Sequence, residues 1–167
     1  CFWYSGSPKD YAELLKVSYD AVKSVDPDAQ VVTGGFVNAF RFVAEMLTYL
    51  DGKRYYDFHG FHYSKNPPGD SYASWRSVLK DQFAAPFMNT EEAIRDGNAW
   101  PDDRRQAELL VKKLVREQAN GVVRTFLFDP LSEGMDDERS LLHTNMTPRP
   151  AFVAMRTLTH HLEGYKF

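Results

Sequence analysis

The strongest constraint on this chain is the order in which two hydrophobic periods alternate along it. A helical stripe of Tyr11, Leu14, Leu15, Val22 and Val25 opens at Ser7-Pro8-Lys9-Asp10 and stops at Asp26-Pro27-Asp28. A short β-branched run follows at 30–33 and is closed by Gly34-Gly35. The pattern then repeats: helical stripes at Phe40 to Leu50, Tyr72 to Phe83 and Ala107 to Val115 alternate with strand-like runs at 57–63, 85–90 and 122–128. A last helix is predicted from about Pro150 to Leu162, with Gly164 beyond its end. The order α-β-α-β-α-β-α-β-α implies parallel strands joined by helical crossovers.

The connections are lopsided. Segments leading into strands are short, as at 26–29, Ala84 and Asn120-Gly121. Segments leaving strands are longer: 64–70, 91–103 and 129–147. Long loops at the carboxyl ends of parallel strands mark the functional face of a (β/α)8 barrel and equally of an open α/β sheet. A complete barrel takes roughly 250 residues, and this chain of 167 shows only four strand-helix units. The chain reads as one continuous unit over 1–167 whose strand edges need cover. Either four units lie upstream and the domain is partial, or a half-barrel pairs with another copy, or the fold is an open sheet. The chain opens at Cys1-Phe2-Trp3-Tyr4 and reads as a piece of something longer.

Composition removes several classes of function. Twenty Lys and Arg against 23 Asp and Glu leave a net charge of −3, so no basic excess speaks for nucleic acid or an anionic membrane. The apolar runs are only a few residues long, so no bilayer span is expected. The single cysteine rules out a disulfide framework and a cysteine-based zinc cluster. No phosphate-binding glycine loop or nucleophile elbow is present, and no cofactor is expected.

Chemistry is sought at the strand ends. Glu91 follows Phe87-Met88-Asn89-Thr90, where a strand is predicted to finish. Strict alternation puts Glu91 on the side of Asn89 and Glu92 on the other. A carboxylate at that mouth can act as nucleophile or acid/base if a second carboxyl lies across the pocket; the plainer reading is an acid favoured by a helix start. Glu92 is read in that plainer way. His59 and His62 are three apart in a strand and face opposite sides, so they do not form a joint metal site. His62 is nearer the mouth. Trp100, in the 91–103 loop, is either a loop anchor or a platform for a sugar ring. Trp75 belongs to a core stripe, Asp129 is a weaker strand-end candidate, and Gly34-Gly35 and His160-His161 carry no assigned role.

Four stretches then resemble one family in the right order. Phe2-Trp3-Tyr4, followed by a helix with Asp10-Tyr11 and Leu14-Leu15, is similar to the segment after the acid/base motif of retaining (β/α)8-barrel glycoside hydrolases. The run from Ala21 to Gly35, Asp57-Phe58-His59-Gly60-Phe61-His62-Tyr63, and Met88-Asn89-Thr90-Glu91 resemble that family's approach to strand five, its strand six and its strand seven. The nearest likeness is to xylosidase-like and related β-glycosidases. The resemblance implies that the chain is the C-terminal half of a TIM barrel, strands five to eight. It implies that Glu91 is the nucleophile, that His62 and Tyr63 line the sugar subsite, and that the acid/base Glu lies upstream of Cys1. Asn89 and Trp100 complete the expected substrate contacts. A carbohydrate substrate is expected, together with a missing N-terminal half or a second copy to complete the barrel. The chain departs from the family at Ser64, at Glu92-Ala93 and at Arg124-Thr125-Phe126, where relatives carry aromatics. A competing reading, a metal-dependent barrel hydrolase, would use His62 and Asp129; another is a non-catalytic sugar-binding half-barrel.

Overall fold

The first helix, α1 (Pro8–Val25), begins where the sequence places it because Ser7 and Asp10 close a capping box. The Asp10 amide donates to Ser7 Oγ at 3.2 Å and the Ser7 amide returns the bond to the Asp10 carboxylate at 2.8 Å. These hydrogen bonds hold the Asp10 carboxyl below its usual range. The computed structural model describes residues 6–62, 69–94, 96, 101–128 and 140–164. Along that length follow α2 (Phe40–Thr48), β1 (His59–His62), α3 (Gly69–Val78), β2 (Phe87–Glu92), α4 (Asp103–Ala119), β3 (Val122–Leu127) and α5 (Pro150–Leu162).

The three strands form one parallel sheet in the order β1-β2-β3. Each consecutive pair is joined by a helix, as the alternation requires. All three carboxyl ends therefore lie along one edge. The fourth expected strand, at 30–33, is present only as parallel bridges from Val32 to Phe58 and from Phe36 to Phe61. Between these bridges the segment holds one residue more than the stretch from Phe58 to Phe61 that it faces, and the Gly34 amide donates to the Tyr11 hydroxyl at 2.7 Å.

Two apolar clusters hold the layers together. The larger joins α1, α2, α3 and the sheet through Leu15, Val43, Leu50, Tyr56, Phe61, Tyr72, Trp75 and Phe87. A smaller one, built from Ile94, Leu109, Leu110, Leu141 and Ala151, packs α4 against α5. The helical stripes are narrower than the sequence implies. In α1 the buried residues are Ala12 and Leu15, while Leu14, Val22 and Val25 of the predicted stripe are 49, 38 and 88% exposed. Among the described residues no helix is long and apolar enough to cross a membrane.

Candidate active site at the carboxyl edge of the sheet

Glu91 and His62 meet on neighbouring strands. They are register partners in the β1–β2 ladder, and His62 Nδ1 lies 3.5 Å from Glu91 Oε2. Both side chains keep partial access to solvent, 21% for His62 and 24% for Glu91. Burial lowers the His62 pKa below that of a free imidazole, and Glu91 opposes that shift only in part. At neutral pH the ring is therefore neutral, able to donate from one nitrogen and accept at the other.

The imidazole is seated on a glycine. A β-carbon at Gly35 would fall 1.7 Å from His62 Nε2 and 2.0 Å from Cδ2. No side chain is compatible with the ring at that place, which gives the Gly34-Gly35 pair a purpose that sequence alone did not assign. The strand under His62 is fixed as well: its amide donates to the Phe36 carbonyl at 3.1 Å, and the Gly60 amide donates to Thr33 Oγ1 at 2.8 Å.

The alternation expected for Glu91 is corrected. Phe61 pairs with Asn89 but His62 pairs with Glu91, so β2 carries one extra residue, Thr90, against β1. The same excess appears against β3, where Asn89 pairs with Thr125 and Glu92 with Leu127. This bulge reverses the side-chain alternation. Asn89 consequently shares the covered side with Glu92, and Glu91 turns to the other side with His62.

On the covered side lies a buried polar cluster. Asn89 Nδ2 donates to Glu92 Oε2 and to Glu117 Oε1, each at 2.7 Å. Lys113 Nζ is 2.5 Å from Glu92 Oε1, and the Thr125 hydroxyl donates to Glu117. Asn89, Glu92, Glu117 and Lys113 are all 4% exposed or less. Burial raises the Glu92 pKa, with Lys113 pulling it down and Glu117 pushing it up. Asn89, expected to touch substrate, has its amide engaged inside the protein.

His59 lies on the covered side of β1, as its spacing from His62 requires, within an aromatic box. Its ring stacks on Phe36 at 5.6 Å and faces Trp75 at 4.7 Å, and neither ring nitrogen has a hydrogen-bond partner. Burial depresses its pKa to about 3. Tyr63, Trp100 and Asp129, along with Trp3 and Ser64, lie outside the described residues. Among the described residues no three His, Cys, Asp or Glu side chains gather as a metal site.

Two kinds of residue escaped the sequence reading. Gly35 was visible only as half of a glycine pair with no assigned role. Lys113 and Glu117 carried a signature: with Gln106, Leu109 and Leu110 they form the buried stripe of α4, and charges inside an apolar stripe mark a buried network.

This fold is one that glycoside hydrolases use. The structure is similar to a GH128 (subgroup II) endo-β-1,3-glucanase from Sorangium cellulosum, with a TM-score of 0.61 at 19% identity over 89% of this chain. It is also similar to a GH128 (subgroup VI) exo-β-1,3-glucanase from Aureobasidium namibiae, with a TM-score of 0.63 at 16% identity over 91% of this chain. The chain spans 61% of the length of each of those two structures. No family model matches the sequence, and no curated protein sequence matches it significantly.

Proposed function

We propose that this chain is the C-terminal part of a (β/α)8-barrel glycoside hydrolase that cleaves a β-linked glucan with retention of configuration. The observation that carries the reading is the Glu91–His62 pair. A carboxylate and a neutral imidazole stand side by side at the carboxyl edge of a parallel sheet, where barrel enzymes keep their chemistry. On this reading β1, β2 and β3 are strands six to eight, the bridged segment 32–36 is what remains of strand five, and the likeness to two β-1,3-glucanases favours a β-1,3-glucan over a xyloside.

Glu91 attacks the anomeric carbon and forms a glycosyl ester, while a carboxylic acid from the upstream part of the barrel protonates the departing oxygen. That second carboxyl belongs about 5–5.5 Å from Glu91. Water then attacks the ester with the second carboxylate as base, which regenerates Glu91 and gives back the starting configuration. His62 holds the nucleophile's orientation by donating from Nδ1, and its neutrality avoids an ion pair that would blunt the carboxylate. Tyr63 and Trp100 are assigned to the sugar subsites. The upstream half of the barrel, or a second copy of the chain, covers the open side of the sheet. There Phe126, facing away from α4 by alternation with Thr125 and Leu127, is 50% exposed.

Trapping tests the reading directly. The protein with its upstream segment is incubated with a 2-deoxy-2-fluoro-β-glucosyl donor, and peptide mass spectrometry is expected to locate one fluoroglucosyl adduct on Glu91. Proton NMR of the first product formed from a β-1,3-glucan is expected to show the β-anomer. An adduct on another residue, or an α-anomer, removes Glu91 from this role.

A further inference from the structure

Two adjacent glutamates end β2, and something must decide which of them reaches the open side. In a regular strand Glu91 would lie with Asn89 under the sheet and Glu92 would face out. The bulge at Thr90 inverts that choice. A bulge loosens a ladder, so its persistence needs partners that the alternative register lacks. They are found directly beneath. Asn89 uses both amide hydrogens on Glu92 and Glu117, while its Oδ1 lies 3.4 Å from the Glu91 amide nitrogen that donates to it. Lys113 and Thr125 fix the far sides of the two carboxylates from α4 and β3. Beyond the bulge the Glu92 carbonyl accepts from the Phe128 amide at 2.8 Å.

We propose that the buried Asn89–Glu92–Lys113–Glu117 cluster is a positioning device: by holding the bulge in β2 it selects Glu91, and not Glu92, to face His62. Asn89 is the hinge of the device, because it bonds both the covered carboxylates and the backbone of Glu91. It is a positioning residue and not a substrate contact. The catalytic consequence rests on Glu91 being the nucleophile; the geometric one does not.

The experiment therefore reads geometry first and activity second. The His62 pKa is followed by NMR in the protein and in Glu91→Gln, Asn89→Leu and the double variant. Asn89→Leu leaves Glu91 itself unsubstituted, so the part of any His62 shift that disappears in the Glu91→Gln background reports a displaced Glu91 carboxylate. Glu91→Gln is expected to lower the His62 pKa by on the order of one unit. Asn89→Leu is expected to reproduce at least half of that drop, and to add nothing in the Glu91→Gln background. On a β-glucan, Asn89→Leu is expected to lower kcat about 10–100-fold with KM nearly unchanged, as misplacement of a reacting group does. Should Asn89→Leu fail to fold, Asn89→Ser, which leaves room for a bridging water, gives the same readings. A lowered melting temperature with an unmoved His62 titration overturns the proposal, because Asn89 would then serve stability alone. A coupled His62 titration in a protein that hydrolyses no glycan leaves the positioning intact and refutes the enzymatic reading instead.

Discussion

The two sides of the sheet handle the same pair of residue types in opposite ways. On the open side, His62 and Glu91 are partly solvated and lie 3.5 Å apart. On the covered side, His59 and Glu92 are buried at 0 and 1% exposure and are kept apart, one in an aromatic box and the other on Lys113. Burial sets the difference. A lone imidazole withdrawn from water gives up its charge, and a carboxylate withdrawn from water keeps its own only when a cation and hydrogen-bond donors go with it. The open pair keeps access to solvent, and the covered pair is packed away from it.

The largest expected effect separates the two glutamates. Glu91→Gln is expected to lower turnover on a β-glucan by roughly three or more orders of magnitude, while the urea midpoint stays nearly where it was. A carboxylate with solvent access contributes little to folding. Near-normal turnover would put Glu91 outside the mechanism. Lys113→Met tests the other side. It removes the ammonium that lies 2.5 Å from the buried Glu92 carboxylate, which costs about 3–5 kcal/mol of stability. Adding Glu92→Gln to Lys113→Met should restore part of that loss. Denaturation midpoints that do not move would show that the covered cluster carries no charge worth compensating.

The histidines differ in their response to acid. The His59 pKa is about 3 in the folded protein, against about 6.5 for an unfolded histidine. The unfolded chain thus binds a proton at His59 that the folded chain refuses. Stability is fully present above pH 6.5 and is lost as pH falls toward 3. Between pH 7 and pH 4 the loss from this group is on the order of 3 kcal/mol. His59→Leu should flatten that part of the stability profile and cost little at pH 7, since the imidazole nitrogens have no partners to lose. If the wild-type and His59→Leu profiles run parallel from pH 7 to pH 4, the aromatic box does not depress this histidine.

Much of this arrangement could be read in the sequence, and what could not has identifiable causes. The parallel order and the opposite facing of His59 and His62 follow from periodicities that the backbone obeys, and Glu91, singled out by its place at a strand end, lies beside His62. The side on which Glu91 lies did not follow. A single inserted residue, Thr90, inverts alternation, and nothing in Phe87-Met88-Asn89-Thr90-Glu91-Glu92 marks a bulge, which lacks the glycine that some bulges require. The run at 30–33 looked like a full strand because Val31 and Val32 carry the right propensity, yet the segment pairs only through bridges at Val32 and Phe36, with an extra residue between them. Val22 and Val25 fitted a helical stripe that, among the described residues, has no layer covering it.

The smallest expected effect is the most local. Gly35 lies beneath the His62 ring, and its hydrogen occupies the place where any other residue would put a β-carbon, 1.7 Å from Nε2 and 2.5 Å from Cε1. Gly35→Ala must therefore push the imidazole away from Glu91 or move the strand that carries it. The expected cost is about 1–3 kcal/mol of stability, as for other overpacked sites. A drop of about 10–100-fold in kcat/KM should accompany it if His62 orients the nucleophile. The three atoms nearest that β-carbon all belong to His62, which gives a double-variant check. In a His62→Ala background the ring is gone, and adding Gly35→Ala should cost almost nothing further. A Gly35→Ala penalty that survives there would mean the glycine answers to the backbone between the Val32 and Phe36 bridges, and the seat under His62 would lose its place in the site.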